Sequence, residues 1–514
     1  MYDRSTTIHL SRTIIRLSLP VLVEQFFIVL MGAVSTMLVG NLGREAVSAV
    51  GNMDTINNVM ISIFSSVAIG GTVLVAQYTG REDRLSASRA ASQAMLASIV
   101  LALVLTGLVA GYQHALVNLL FGRTEILVRQ NSLAYLSIVV WSYPPLALAT
   151  TAFGVLRGNG NMKAPMTISI VMNLANILLS SILIYGLRLD WGFIKWVTPA
   201  YGVTGAAWGL TLARVLGFIL AIVMLKKSDL AFSWAPRRFL TVDKKKMGTI
   251  LFLGVPAGFE QLMFNGGKLI VQMFIVSLGT VALAANAVCN SIAAFATMPT
   301  AAMSLALTTI VGQAIGRRDK EGARTLLTFA IPFCSAILVG MSLLFLPVIG
   351  PVIGLYTQDP ATRQTALPIM ILYLIAQPLL WPPSFALAAG FRGAGDVRYQ
   401  LVVTMVSMWV LRIGLGYLLT AVFPPRCDRS LDCHDQRLGF ALCAVHAAPS
   451  EWQMAAPGFG CLNSPVCGAG YWQDKSLASL DIRWTRARSA QLAESSWLEW
   501  EHLSFCVRGV QASG

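Results

Sequence analysis

The chain has 514 residues, of which 55% are hydrophobic and only 12% charged. Soluble proteins carry about 25% charged residues, which speaks against a large soluble enzyme. The net charge of +14 does not mark a nucleic-acid binder. The basic residues lie in short loops between apolar runs and form no patch interleaved with aromatics.

Eleven apolar segments follow one another, at about 14–39, 47–77, 90–112, 132–156, 165–187, 201–225, 248–277, 283–313, 326–350, 366–390 and 400–423. A membrane-crossing helix needs roughly 20 apolar residues. Lipid offers no partner to open backbone groups, so each segment is expected to be a helix. The first run is too long for a cleavable signal peptide and is followed by further helices. The expected organisation is a cytoplasmic tail (1–13), an N-terminal six-helix lobe (14–225), a cytoplasmic linker (226–246), a C-terminal lobe with five readable helices (247–423) and an atypical tail (424–514).

Lys and Arg counts orient the chain. With the N-terminus inside, the inner segments, counted from the tail through Arg16, hold 21 basic residues. The outer loops hold 6: Arg44, Arg123, Arg129, Arg188, Lys195 and Arg363. That asymmetry points to a cytoplasmic N-terminus.

An internal repeat organises the sequence. Pro20, Glu24 and Gln25 recur as Pro256, Glu260 and Gln261, at an offset of 236 residues. Leu42-Gly43 recurs as Leu278-Gly279 in the same register. Gln77, Gly80, Arg81 and Asp83 recur as Gln313, Gly316, Arg317 and Asp319. The run Leu156–Gly160 recurs as Phe391–Gly395, at an offset of 235. Two six-helix halves enter the membrane from the same side, so their pseudo-two-fold axis runs along the membrane normal. The expected fold is an all-α polytopic membrane protein of two such bundles, with the twelfth helix missing or frame-shifted. Rocking of one bundle against the other implies transport by alternating access.

The opening segment LSLPVLVEQFFIVLMGAVSTMLVGNLG is similar to that of the MATE (multidrug and toxic compound extrusion) family. So are AQYTGREDR after helix two, GVLRGNGNMKAP after helix four and NLANILLSSILIYG in helix five. The resemblance covers residues 14 to about 423. It implies a monomeric antiporter in the bacterial inner membrane that exports hydrophobic or cationic small organic molecules against Na⁺ or H⁺, with no other cofactor. The sequence also departs from the family pattern. Ser35 and Ser180 stand where many members carry Asp, and Trp381 where some do, while Asn173 and Asn176 remain.

Candidate site residues follow from physics. A charged side chain inside a membrane costs at least ~2.5 kcal/mol, so it normally faces a cavity and has a function. Glu24, Asp54 and Glu260 are the carboxylates within apolar segments. Burial favours the neutral form of a carboxyl group, so such a group can exchange protons or bind a cation. Glu24 and Glu260 are symmetry mates, and a pair of structural hydrogen bonds closing each lobe is the alternative for both. Asp54, with Asn57 and Asn58 nearby, forms a polar face, and position 290 in the second half is Asn290. Lys268 lies two turns beyond Glu260 on one helix face. Arg214 and Arg412 are expected to snorkel to a membrane surface. Arg157 and Arg392, each before a glycine, are expected to cap helix C-termini. Met and aromatic side chains in the cleft would suit flat hydrophobic cations.

From Pro424 the text turns polar, and six of the eight cysteines lie there without a CxxC pair, so no metal site is expected. The segment is either an extension or a shifted frame. Under one choice of codons, Leu431–Leu438 read one base later gives WIAMISDW, which resembles the start of the family's last helix. A flippase for lipid-linked saccharides is the alternative function, and it calls for a more cationic cleft, for which Lys268 is the candidate. An enzyme is not expected, since HExxH, GxSxG and P-loop motifs are missing.

Overall fold

The computed structural model describes residues 4–122, 124–186, 188–191, 194–197, 199–228, 242–277 and 280–414. The first half contains α1 (Arg4–Gly40), α2 (Arg44–Gly80), α3 (Arg84–Phe121), α4 (Ile126–Val139), α5 (Tyr143–Gly158), α6 (Lys163–Tyr185) and α7 (Val203–Lys227). A single 3-10 turn, Val140–Ser142, joins α4 to α5 as one membrane-length rod. The second half contains α8 (Lys244–Ser277), α9 (Thr280–Gly316), α10 (Lys320–Phe345), α11 (Ile349–Tyr356), α12 (Pro360–Ala394) and α13 (Val397–Met405).

Among the described residues, ten helical stretches are long and apolar enough to cross a membrane, with α4–α5 and α10–α11 each forming one. They match the first ten expected segments. The eleventh is described to Gly414, as α13 followed by a π-helical stretch over Val406–Gly414. The expected twelfth helix, the shifted frame, Leu278-Gly279 and the middle of the linker lie outside the described residues. One short non-helical element lies among the helices. Arg188–Trp191 (β1) pairs antiparallel with Ile194–Val197 (β2) between α6 and α7. Its Trp, Ile and Val residues favour a pleated ribbon over a helix.

The helix starts are capped alike in the two halves. Asp83 accepts from Ser86 N at 2.9 Å, and Asp319 from Gly322 N at 2.7 Å. Pro20 and Pro256 sit inside continuous helices, which a membrane bundle tolerates because neighbouring groups re-satisfy the freed carbonyl.

Lipid tails remove the hydrophobic drive between helices, so close packing of small residues takes over. Gly154 and Gly158 lay α5 directly on α2, where a Cβ would stand 2.8 Å from Ala68 O or 2.6 Å from Thr72 O. One N-terminal core gathers Leu74, Ala91, Ala94, Met95, Ala152 and Leu156. The lobes meet along the first half of α1, the second half of α2, the first half of α8 and the second half of α9. There Ile14 packs with Met303 and Leu307, and Val73 with Leu253 and Ala257. At the other end each lobe keeps its own core. One holds Met53, Phe64 and Tyr135, the other Val271, Ile292 and Tyr373.

Candidate substrate and ion site

The two symmetry-related carboxylates have unlike surroundings. Glu24, one turn past Pro20 in α1, is buried. Its Oε1 receives Arg157 Nη2 at 2.5 Å, and Arg157 comes from the last turn of α5. This corrects the expectation for Arg157, whose guanidinium serves as a counter-charge for Glu24. An incoming cation would have to displace that resident charge.

Glu260, one turn past Pro256 in α8, is half-buried. Its Oε1 accepts from Gln400 Nε2 at 2.9 Å and from Thr404 Oγ1 at 3.2 Å, both on α13. Among the described residues no basic side chain pairs with it. Arg392, the counterpart of Arg157, donates to Ala388 O at 3.3 Å, one turn back in its own helix, and to Ser304 Oγ at 3.4 Å. Met263, Phe264, Met405, Met408 and Trp409 gather around the Glu260 carboxylate. Lys268 stands over the Phe264 ring, 4.7 Å from its centroid. Glu260, Phe264 and Lys268 thus follow one another at single-turn spacing along α8. A carboxylate with two neutral donors, set among thioethers and rings, can hold a small cation or an organic one.

In the N-terminal lobe the polar residues close on one another. Asn57 is buried and its Oδ1 accepts from the Tyr143 hydroxyl at 3.2 Å. Asp54 and Asn58, on the same turns of α2, are exposed. Asn173 and Asn176 are buried in α6, where Asn173 donates to Ser169 Oγ at 3.4 Å and Asn176 accepts from Ser180 Oγ at 3.0 Å. Arg214 does not snorkel. Its side chain is buried in the lobe, donates to Ser142 Oγ at 2.7 Å and lies in electrostatic reach of Asp54. A guanidinium in lipid needs acceptors and a counter-charge, and here Ser142 and Asp54 of the same lobe supply them. The Arg412 side chain lies outside the described residues. Trp381 stacks on Phe385, ring centroids 4.8 Å apart.

Gln400, Thr404, Ser142 and Tyr143 were not singled out from the sequence. Gln400 carries a faint signal as a polar residue in an otherwise apolar run, and the other three carry none. Among the described residues no group of three or more His, Cys, Asp or Glu could hold a metal ion.

Repeated helical lobes that meet at one end and enclose polar groups within an apolar sheath define a multi-pass membrane transporter. The comparisons with known proteins narrow that class. The MatE family model matches residues 20–182 and 256–418, one copy per half, and the chain belongs to that family, whose members are transporters and not enzymes. An uncharacterized transporter, YisQ, of Bacillus subtilis (strain 168) is 27% identical over 404 residues, covering 78% of this chain and 86% of that protein. A probable multidrug resistance protein NorM of Thermotoga maritima is 25% identical over 417 residues, covering 80% and 86%. Among solved structures, an outward-facing multidrug resistance MATE transporter superposes with a TM-score of 0.76 at 19% identity, over 88% of this chain and 96% of that one. A MOP superfamily transporter from Pyrococcus furiosus, described as having a binding pocket of reverse polarity, gives 0.77 at 20% identity over the same shares. These structural likenesses establish the two-lobed fold.

Proposed function

We propose that this protein is a secondary active multidrug efflux transporter of the bacterial inner membrane, with its N-terminus in the cytoplasm, acting as a monomer. It exports hydrophobic or cationic organic molecules by alternating access, in exchange for inward-moving Na⁺ or H⁺. The observation that carries the reading is Glu260, a carboxylate with no paired cation among the described residues, set against Met263, Phe264, Met405, Met408 and Trp409. An inorganic cation and an organic cation compete for one carboxylate, and that competition couples the two flows. Methionine adapts to varied shapes and ring faces attract cations, which suits a broad substrate range. The relatives named for multidrug resistance support the same substrate class.

In this reading Glu24 and Arg157 hold the N-terminal lobe together, while Asp54, Asn57, Asn173, Asn176 and Lys268 shape the interior around the path. A flippase of lipid-linked saccharides calls for cations that hold a pyrophosphate. The cations described within the spans are engaged, Lys268 over Phe264, Arg214 with Ser142 and Arg157 with Glu24.

The test is dye efflux from proteoliposomes under an imposed Na⁺ gradient, and separately under a pH gradient. The expected result is efflux driven by one of the two in the wild type, with at least a tenfold loss in Glu260→Gln. Efflux that ignores both gradients would overturn the antiport reading.

A further inference from the structure

Gln77 and Gln313 occupy equivalent places near the ends of α2 and α9, and each reaches across to the other lobe. Gln77 Nε2 donates to Gly393 O at 3.2 Å, and Gln313 Nε2 donates to Gly158 O at 3.1 Å. The acceptors are themselves equivalent, each the first glycine of an Arg-Gly-x-Gly run. Both helices stop there because the next glycine turns left-handed, Gly160 at φ +88° and Gly395 at φ +90°. The last turn of a helix leaves carbonyls without donors of its own. The glutamines of the opposite lobe supply them.

The backbones at this seam touch. Gly80 lies against Gln313 O and Gly316 against Gln77 O, each too close for any side-chain carbon. Between them Gly312 meets Ala76, its equivalent across the pseudo-two-fold, where a Cβ would stand 3.0 Å from the Ala76 methyl. The seam continues through Asn265 Nδ2, which donates to Ser62 Oγ at 3.3 Å. Beyond it the lobes have separate cores.

We infer that Gln77 and Gln313 are a paired latch, two equivalent neutral hydrogen bonds that close the lobes at the end bearing the 81–83 and 317–319 turns and set how often that end opens. The inference rests on the alternating-access reading and names the residues that position its closed state. Neutral bonds suit the task. Water replaces both partners when the seam parts, so each contributes modestly and reversibly. Their equivalence makes the two halves release together, because a rigid lobe cannot open at one glutamine and stay shut at the other.

The test is hydrogen-exchange mass spectrometry on the full chain in nanodiscs, following peptides across 74–84 and 310–320. Gln77→Met and Gln313→Met keep the size of the side chain and remove the donor, while Gln77→Lys restores a donor. Each Met variant is expected to raise exchange roughly two- to tenfold, the worth of one neutral hydrogen bond. The rise is expected at both seams, including the one whose glutamine is intact. The double variant should show about the product, the interior of α3 no change, and Gln77→Lys exchange close to wild type. Several results overturn the latch: a response confined to the substituted peptide, wild-type exchange in both Met variants, or equal effects of Gln77→Met and Gln77→Lys. Loss of the fold in both Met variants also overturns it, since each lobe has a core of its own. Dye efflux separates the two ideas. Exchange that rises as expected in a protein that moves no dye refutes the multidrug substrate class and leaves standing the alternating access on which the latch rests.

Discussion

Arg157 Nη2 sits 2.5 Å from Glu24 Oε1, while its counterpart Arg392 turns to Ser304. The repeat differs at the positions that supply their partners. At the 236-residue offset Ser304 corresponds to Ala68, whose methyl cannot accept a hydrogen bond. Without that hydroxyl, Arg157 reaches the carboxylate. Glu260 is supplied instead by Gln400 and Thr404. The places that correspond to Gln400 hold Ala164 and Pro165, whose side chains have no donor. A well-kept repeat therefore carries two unlike carboxylates, one neutralised from within and one held by neutral groups.

Opposite phenotypes follow for the two glutamates. Glu24→Gln leaves Arg157 charged and without its partner, and breaking a buried pair in this way costs about 3–5 kcal/mol. Its thermal unfolding should fall clearly, and Glu24→Met with Arg157→Met should recover part of the loss. Glu260→Gln keeps an acceptor for Gln400 and Thr404, so its melting temperature should barely move while dye efflux drops at least tenfold. A stable Glu24→Gln protein beside a destabilised, active Glu260→Gln protein would reverse the assignment.

Arg214 and Asp54 should be energetically coupled. The guanidinium is buried with Ser142 as its hydrogen-bond acceptor, and Asp54 is the carboxylate in electrostatic reach. Groups in one network show coupling of roughly 0.5–3 kcal/mol. Thermal unfolding of wild type, Arg214→Met, Asp54→Asn and the double variant gives that coupling directly. Strict additivity would show that Asp54 is no counter-charge for Arg214.

The contact of α6 with α7 tolerates no added carbon at Gly209. A Cβ there would collide with the Ser180 hydroxyl and stand 2.7 Å from both Ser180 Cα and Ser180 N. Gly209→Ala should therefore destabilise by about 1–3 kcal/mol, the usual cost of overpacking. Ser180→Gly should not rescue it, because backbone atoms are among those struck. Restored stability in the double variant would place the conflict in the hydroxyl alone.

What the sequence disclosed was the architecture. Apolar run lengths located the ten described spans, and the recurrence of Pro20, Glu24 and Gln25 at 256, 260 and 261 anticipated the two family-model matches, which start at the two prolines. The partners of those residues were less legible. A helix apolar on all sides has no polar face to show where an arginine points, so Arg214 read as snorkelling. Arg157 read as a cap because its local pattern, Arg before Gly, is a cap pattern, while its carboxylate lies 133 residues away. Gln77 and Gln313 stood out as repeated, but only the fold shows that each serves the opposite lobe.

The start of α8 should weaken in acid, and one residue is responsible. Asp243 accepts from Lys245 N at 3.1 Å, from Lys246 N at 3.2 Å and from Lys246 Nζ at 2.7 Å. Its own amide donates to Gln93 Oε1 at 3.1 Å and so ties the helix start to α3. The Lys246 side-chain hydrogen bond, with help from the two amides, holds the Asp243 carboxyl below its ordinary value of 3.8. The unfolded chain therefore takes up a proton before the folded one does. The stabilisation is complete above the ordinary carboxylate range and is lost as pH falls below about 3.8 toward the lower folded value. Thermal unfolding of wild type and Asp243→Asn should differ by a constant amount near neutral pH, and that difference should shrink as the buffer is taken below the ordinary value. Lys246→Met should bring the wild-type curve toward that of Asp243→Asn. A difference that persists unchanged through the acid range would mean that the carboxylate charge contributes nothing to this cap.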